Sequence, residues 1–169
     1  MSEELTFRPA HSEDAAAILA YLQGIGGESD NLTFGPEGLS ITEEQERQYL
    51  QSVEGDPDTL MLVSEDAGEI VAVCGLSRAK KPRLYHRAQL DASVRRSHWN
   101  RKIATRMLTE LLETGRRAGV TAFTLEVRED NTAAIHVYEK LGFRTVGRCE
   151  RFFCINGQYH AALLMELDV

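Results

Sequence analysis

The sequence predicts an α/β fold built on one mixed sheet, and three observations carry that prediction. Two strand-like runs in the second half, at 84–94 and 120–127, are each followed by a helical stripe and then another strand-like run, giving two strand–helix–strand units. Turn signals at Glu65-Asp-Ala-Gly68 and Asn156-Gly157 add antiparallel hairpins on either side. A chain of 169 residues that is 43% apolar can bury one continuous core, so residues 1–169 are expected to form a single domain.

Taken in order, Leu5-Thr-Phe-Arg-Pro9 alternates and stops at a proline, which predicts a short first strand. Ser12 is placed to cap a helix whose apolar positions Ala15, Ile18, Leu19 and Leu22 recur at helical spacing. Residues 24–38, GIGGESDNLTFGPEG, are too rich in Gly, Asn and Asp for a regular element and too long for a plain connector. Thr42-Glu-Glu-Gln45 is a capping-box signature opening a second helix that runs to about Val53. Leu60-Met-Leu-Val63 and Ile70-Val-Ala-Val73 then flank the first hairpin turn.

From Leu84 to Val94 the even positions Leu84, Ala88, Leu90, Ala92 and Val94 are mostly apolar and oppose Tyr85, Arg87, Gln89, Asp91 and Ser93, the pattern of a long half-buried strand. Ile103, Met107, Leu108, Leu111 and Leu112 set a helix over about 101–117 that stops at Gly119, with Ser97 or Asn100 as its cap. Arg116 and Arg117 fall in its last turn, where the helix dipole favours cations. After the strand at 120–127, Asn131 opens a helix that ends at Leu141, with Gly142 as a left-handed cap. Strand resumes at Phe143, and beyond Asn156-Gly157 the residues Tyr159, Ala161, Leu163, Met165 and Leu167 alternate to the end.

Composition excludes several classes. The chain has no apolar run of 18 residues and its start, MSEELTFRPA, lacks a secretory pattern, so a soluble cytoplasmic protein with no membrane partner is expected. Cys74, Cys149 and Cys154 form no CxxC pair and are expected as buried small hydrophobes rather than a disulfide framework. His11, His86, His98, His136 and His160 have no ligand spacing, and no metal is expected. No array of Lys and Arg interleaved with aromatics suggests nucleic acid.

The net charge of −7 is unevenly distributed. Residues 1–60 carry two basic side chains, Arg8 and Arg47, against thirteen acidic ones, whereas residues 61–169 carry seventeen basic against thirteen acidic. That split fits plain solubility, or a protein that handles an anion with its second half and a cation with its first.

The stretch Val94-Arg-Arg-Ser-His-Trp-Asn-Arg-Lys-Ile-Ala104 lies where a strand hands over to a helix. Free N–H groups and the positive dipole end make such a junction a natural anion site. Arg95, Arg96, Arg101, Lys102 and Arg106 lie in twelve residues without an acidic side chain, although a solvated basic turn would look the same. Neither GxGxxG nor GxxxxGK[ST] is present, so the ordinary dinucleotide and P-loop fingerprints are excluded.

At the right distance this junction is followed by LEVREDNTAAIHVYEKLGF, residues 125–143, in which Asn131, Ala134 and Tyr138 precede Glu-Lys-Leu-Gly-Phe143. Together the two segments resemble the GNAT superfamily of acyl-CoA-dependent N-acyltransferases, and the resemblance covers essentially the whole chain. It implies a mostly antiparallel central sheet flanked by helices, with a parallel strand pair that splays between 84–94 and 120–127. The pantetheine arm of acetyl-CoA would lie in that splay against the backbone of Leu90, Ala92 and Val94. The pyrophosphate would sit on Arg96, Asn100, Arg101, Lys102, Ile103 and Ala104, and Asn131 and Ala134 would complete the cofactor site, Asn131 serving equally as a helix cap.

The family pattern at the turn is Arg/Gln-x-x-Gly-x-Gly/Ala, and this chain has Trp99-Asn-Arg-Lys-Ile-Ala104, with only the last small residue kept. If Lys102 must adopt a positive φ, strain of about 1 kcal/mol follows; if it is ordinary first-turn helix, it adds an ammonium near the phosphates.

Acyl transfer to an amine needs a free lone pair and a proton for the departing thiolate. Deprotonating an alkylamine at pH 7 costs about 4.6 kcal/mol, against about 1.1 for an N-terminal α-amine. The resemblance places Tyr138 as the proton donor and Glu126, within Leu-Glu-Val-Arg, as the base, with Asp91 in reserve. An ordinary carboxylate is too weak for efficient direct transfer, so it would act through water or with a raised pKa. The acceptor would enter between the first two helices and the C-terminal hairpin, where Glu28, Asp30 and Glu37 could attract a cation. Polyamine, amino acid, aminoglycoside and protein N-terminus or lysine stay open as acceptors, and so does a homodimer. The rival reading is a non-catalytic acyl-CoA sensor or interaction module of the same fold.

Overall fold

The computed structural model describes residues 5–169. Seven strands form one sheet: β1 (Phe7–Pro9), β2 (Thr59–Asp66), β3 (Glu69–Arg78), β4 (Arg87–Val94), β5 (Ala122–Arg128), β6 (Arg144–Ile155) and β7 (Gln158–Asp168). Their spatial order is β1-β2-β3-β4-β5-β7-β6. Only β4 and β5 run parallel; every other neighbouring pair is antiparallel, as the sequence predicts. The β6–β7 hairpin returns so that β7, not β6, lies against β5.

Four helices cover the sheet: α1 (Ala15–Gly26), α2 (Glu43–Glu54), α3 (Ile103–Arg117) and α4 (Thr132–Lys140). The larger core packs Met107, Leu108, Leu111 and Leu112 of α3 and Tyr138 of α4 against Leu90, Phe123 and Leu125 of the sheet. On the opposite face, Ile18, Tyr21 and Ile25 of α1 and Leu50 of α2 pack over Val63 and Val73. Alternation therefore sends Ala88, Leu90, Leu125 and Val127 toward α3 and α4, and Gln89, Asp91, Ser93, Glu126 and Arg128 toward α1 and α2. None of the helices among the described residues is long and apolar enough to cross a membrane.

Local chemistry fixes most element ends. Thr42 Oγ1 accepts the Gln45 N–H at 3.2 Å while Gln45 Oε1 accepts the Thr42 N–H at 2.8 Å, closing the predicted capping box. Gly142, at φ +98°, ends α4 in the left-handed region, and Asn156-Gly157, both at positive φ, turn the last hairpin.

Several boundaries differ from expectation. The first helix is entered through a 3-10 turn at Ser12–Asp14, where the Asp14 carboxylate accepts the His11 N–H at 2.7 Å. Ser12 is inside that turn and does not cap. α1 also continues to Gly26, so the irregular segment is 27–42; it folds back so closely that a Cβ on Gly26 would come within 1.9 Å of the Gly35 carbonyl oxygen.

The expected strand from Leu84 begins only at Arg87, because Pro82–Leu84 form a 3-10 turn. Arg78 holds this turn, its guanidinium 3.5 Å from the centroid of the Tyr85 ring. Ser97 and Asn100 do not cap α3: Ser97 Oγ meets His98 Nδ1 at 2.8 Å, and the residue at the cap position is Lys102. Cys74 is buried as expected, whereas Cys149 and Cys154 are exposed, since β6 is the outer strand of the sheet; all three thiols are free.

Candidate active site

Pairing between β4 and β5 is limited to Arg87 with Ala122, Ala88 with Phe123 and Gln89 with Thr124. Beyond that point β4 pairs only with β3, out to Val94, and β5 only with β7, out to Arg128. The facing edges of 90–94 and 125–128 thus carry backbone groups without a sheet partner, and a wedge opens between them. The predicted splay is present, and Leu90, Ala92 and Val94 lie along it with Leu90 buried and the other two half-buried.

At its vertex, Gln89 Nε2 donates to Glu126 Oε2 at 2.6 Å. Tyr138 approaches from the α4 side and is buried, with its ring edge-on to Phe143 at 6.1 Å between centroids. The Tyr138 hydroxyl makes no hydrogen bond among the described residues. Burial, followed by the charges of Cys74 and Asp91, pushes its pKa well above the ordinary phenol value. Asn131 acts as the α4 cap, its Oδ1 accepting the Ala134 N–H at 3.3 Å, with Ala134 packed against the core.

The turn at the N-terminus of α3 answers the question its sequence poses. Lys102 lies in the left-handed region at φ +59°, ψ +19°, and Asn100 does so too at φ +61°. Asparagine tolerates this conformation, whereas lysine is strained by about 1 kcal/mol or more. The Arg106 N–H is the first to bond back, to the Lys102 carbonyl at 3.1 Å, so the N–H groups of Ile103, Ala104 and Thr105 have no intrahelical partner.

The basic side chains of this turn are unevenly available. The Arg96 guanidinium donates to the Glu28 carbonyl and lies 5.5 Å from the Trp99 ring centroid. Arg101 reaches Asp66 at 3.4 Å, and His98 reaches the same carboxylate at 2.8 Å. Lys102 makes no ion pair among the described residues. Trp99 is 45% exposed and ties the turn to the strand end through Nε1 and the Val94 carbonyl at 2.8 Å. Ile103 points into the core, with Ala104 packed beside it.

On the α1 and α2 face, three arginines strap segment 27–42 across the parting strand ends. Just beyond β4, Arg95 reaches Glu28 at 3.4 Å and the Arg96 N–H donates to the same carboxylate at 2.7 Å. From β5, buried Arg128 donates to the Asp30 carbonyl at 2.9 Å and reaches His160 Nδ1 at 3.1 Å. Glu37 accepts the Gly35 N–H at 3.0 Å. The expectation that Glu28 awaits a cation is therefore corrected, since its carboxylate is tied to Arg95 and Arg96; Asp30 holds the strap by its carbonyl, and Glu37 braces its own turn. A hollow of about 170 Å³ opens between the end of β5 and the β6–β7 hairpin, lined by Arg128, Asp130, Arg148, Glu150, Tyr159 and His160.

Three side chains not singled out from the sequence complete the cleft: Glu46 and Tyr49 of α2, and Tyr21 of α1. Tyr21 donates its hydroxyl hydrogen to Ser93 Oγ at 3.0 Å, pinning α1 over β4. Glu46 is only 3% exposed, and burial raises its carboxyl pKa. Its signal was its spacing, since Glu46, Leu50 and Val53 share one helical face. Asp91 opens on the cleft, and the surrounding protein raises its carboxyl pKa by desolvation. Among the described residues no cluster of His, Cys, Asp and Glu is arranged to hold a metal.

Comparison with known proteins agrees with this geometry. Residues 29–143 match the acetyltransferase (GNAT) family. The N-alpha-acetyltransferase RimI of Mycobacterium tuberculosis is 33% identical over 94 residues, covering 56% of this chain and 58% of that protein. Spermidine N(1)-acetyltransferase of Escherichia coli K12 is 31% identical over 83 residues, 48% of this chain and 45% of that protein. The chain thus spans about half the length of the curated relatives it matches. The crystal structure of a GNAT-family acetyltransferase from Streptococcus pneumoniae superposes with a TM-score of 0.93, covering 98% of this chain and 100% of that one at 26% identity. A Salmonella typhimurium structure solved with acetyl-CoA shares the fold, with a TM-score of 0.84 at 17% identity over 98% of this chain and 94% of its own. With the family match extending over more than half of its length, the chain belongs to the GNAT acetyltransferase family.

Proposed function

We propose that residues 1–169 act as one acetyltransferase domain that moves the acetyl group of acetyl-CoA to a primary amine by direct attack in a ternary complex. The observation that carries this reading is the wedge between β4 and β5, with Tyr138 on one face of it and Glu126 at its vertex. Acetyl-CoA supplies the activated acyl carbon.

The residues present suit that ligand. Unpaired backbone along Leu90, Ala92 and Val94 matches amide groups of an extended arm, as a missing strand would. The free N–H groups of Ile103 and Ala104 and the Lys102 ammonium suit a pyrophosphate. Arg96 and Arg101 add to the positive field there, and Asn100 and Asn131 shape the two turns.

Glu126 takes the proton of the acceptor nitrogen through water, and Gln89 holds its carboxylate in place. Tyr138 donates to the departing sulfur. Its raised pKa keeps the phenol protonated beforehand; because a thiol has a pKa of roughly 8.5, full transfer to the thiolate runs uphill, so the hydroxyl serves the sulfur as a hydrogen-bond donor while the C–S bond breaks and any proton it gives is regained from solvent. Two exposed free thiols, Cys149 and Cys154, suit a reducing cytoplasm.

One observation favours a second reading. Lysine in the left-handed position where the family has glycine suits a chain that binds acyl-CoA as a sensor without turnover. Thermal unfolding with coenzyme A and thiol release with a panel of amines separate the two. Both readings expect stabilisation of about 2.7 kcal/mol at a hundredfold excess over Kd, and only the enzyme releases thiol.

A further inference from the structure

Among the described residues, Glu46 is the only carboxylate side chain in the buried class. It shares the inward face of α2 with Leu50 and Val53, so it is directed at the sheet rather than at solvent. Asp91 rises from β4 on the same side of the sheet, above Gly75 of β3. A Cβ at Gly75 would stand 2.7 Å from Asp91 Oδ2, so only glycine leaves that carboxylate its place.

Neither Glu46 nor Asp91 has a hydrogen-bond or ion-pair partner among the described residues. Tyr49, three residues after Glu46, is half-exposed, and its phenol feels the charges of both carboxylates. The field of Asp91 also reaches Tyr138. Both acids thus lie on the α1 and α2 side of the sheet and both act on Tyr49 of the roof helix α2.

An ionised carboxylate shut away without a partner, as Glu46 is, is costly. A cation beside it offsets that cost and is drawn by the charge of Asp91 as well, and an aromatic ring there adds a cation–π contact. Glu28, which the sequence offers for this purpose, is already committed to Arg95 and Arg96.

We infer that Glu46 and Asp91 form the subsite that receives the acceptor's ammonium group, with Tyr49 as its wall, and that the acceptor is an aliphatic primary amine carrying no carboxylate beside its nitrogen. The α-carboxylate of a free amino acid would be driven against two like charges. Glu46 is thereby a positioning residue: it holds the amine as a cation, and the proton leaves from there. The inference rests on the acetyl-transfer reading for the fate of the amine, though not for its binding.

The test is an NMR titration of the full chain, loaded with coenzyme A, with 1-aminobutane and with glycine. Wild type is expected to bind 1-aminobutane saturably and at least about tenfold more tightly than glycine. Glu46→Gln and Asp91→Asn are each expected to weaken 1-aminobutane by about tenfold or more while coenzyme A affinity, measured in the same samples, stays unchanged. No saturable binding of 1-aminobutane by wild type, no preference over glycine, or equal affinity in wild type and both variants overturns the inference. Acetylation of 1-aminobutane is followed separately with acetyl-CoA. Binding without acetylation leaves the subsite standing and counts against acetyl transfer; acetylation with an unaltered amine KM in Glu46→Gln does the reverse.

Discussion

Gln89 and Glu126 meet across the point where β4 and β5 part, with Nε2 and Oε2 2.6 Å apart. The contact holds a carboxylate at the vertex of the wedge while leaving its second oxygen without a hydrogen-bond partner among the described residues. In the proposed mechanism that oxygen faces the water that takes the acceptor's proton. Glu126→Gln is therefore expected to lower kcat by about a hundredfold, with coenzyme A affinity within about twofold of wild type. Thiol-release kinetics and a coenzyme A titration check both halves. A kcat equal to wild type removes Glu126 as the base.

Tyr138 is buried with an unpartnered hydroxyl, so its deletion has opposite consequences for chemistry and folding. Tyr138→Phe is expected to lower kcat by about a hundredfold, because the departing sulfur loses its hydrogen-bond donor. Stability should hold or rise slightly, since the lost hydroxyl has no hydrogen-bond partner among the described residues. Thermal unfolding alongside thiol release distinguishes this from a packing role, in which stability and activity would fall together.

Lys102 at φ +59° makes a prediction about strain. Lys102→Gly relieves the left-handed penalty and gives back part of it as chain entropy, for a net gain of about 0.5 kcal/mol, or a Tm higher by about 1–2 °C. Lys102→Ala keeps the strained φ and removes only the charge. Lower coenzyme A affinity in both variants would identify the ammonium as a phosphate ligand; lower affinity in neither would leave the site to the backbone N–H groups.

Glu46 and Asp91 shape the pH dependence of stability. Burial raises both carboxyls above their ordinary values of 4.5 and 3.8, so each binds its proton more tightly in the folded state. Their contribution is full below those ordinary values and is lost as pH rises through the folded ones. Glu46→Gln removes that loss: the variant should match wild type near pH 4 and exceed it at pH 7. Asp14 and Asp66 are shifted the other way, by Arg8 and by His98, and lose stability as pH falls. Chemical denaturation of variant and wild type at each pH isolates the Glu46 effect as their difference. A constant difference across the range contradicts it.

These residues also mark how far the sequence can be read. Thr42 with Gln45, Asn156-Gly157 and Gly142 were legible because each is a local contract between neighbours and the backbone. The Asn131 to Phe143 segment was legible because cap, core tyrosine and left-handed glycine fall at fixed helical spacings. The start of β4 was not, because Arg78 from another strand stacks on Tyr85 and holds 82–84 in a turn. Glu28 looked available until its partners, Arg95 and Arg96, arrived from 67 and 68 residues away. Glu46 was hidden by company: within Glu43-Glu-Gln-Glu-Arg47 a further acid reads as solvated, and only its phase with Leu50 and Val53 turns it inward.

Acetyl transfer to an amine is the activity proposed for the wedge with Tyr138 and Glu126. The most direct measurement is a single-turnover reaction of wild-type protein with acetyl-CoA and a panel of primary amines, following free thiol and acetylated amine together. One thiol is expected for each amine acetylated, with a rate about a hundredfold lower in Tyr138→Phe. Saturable binding of acetyl-CoA with no thiol released by any amine would contradict it and leave the chain a sensor.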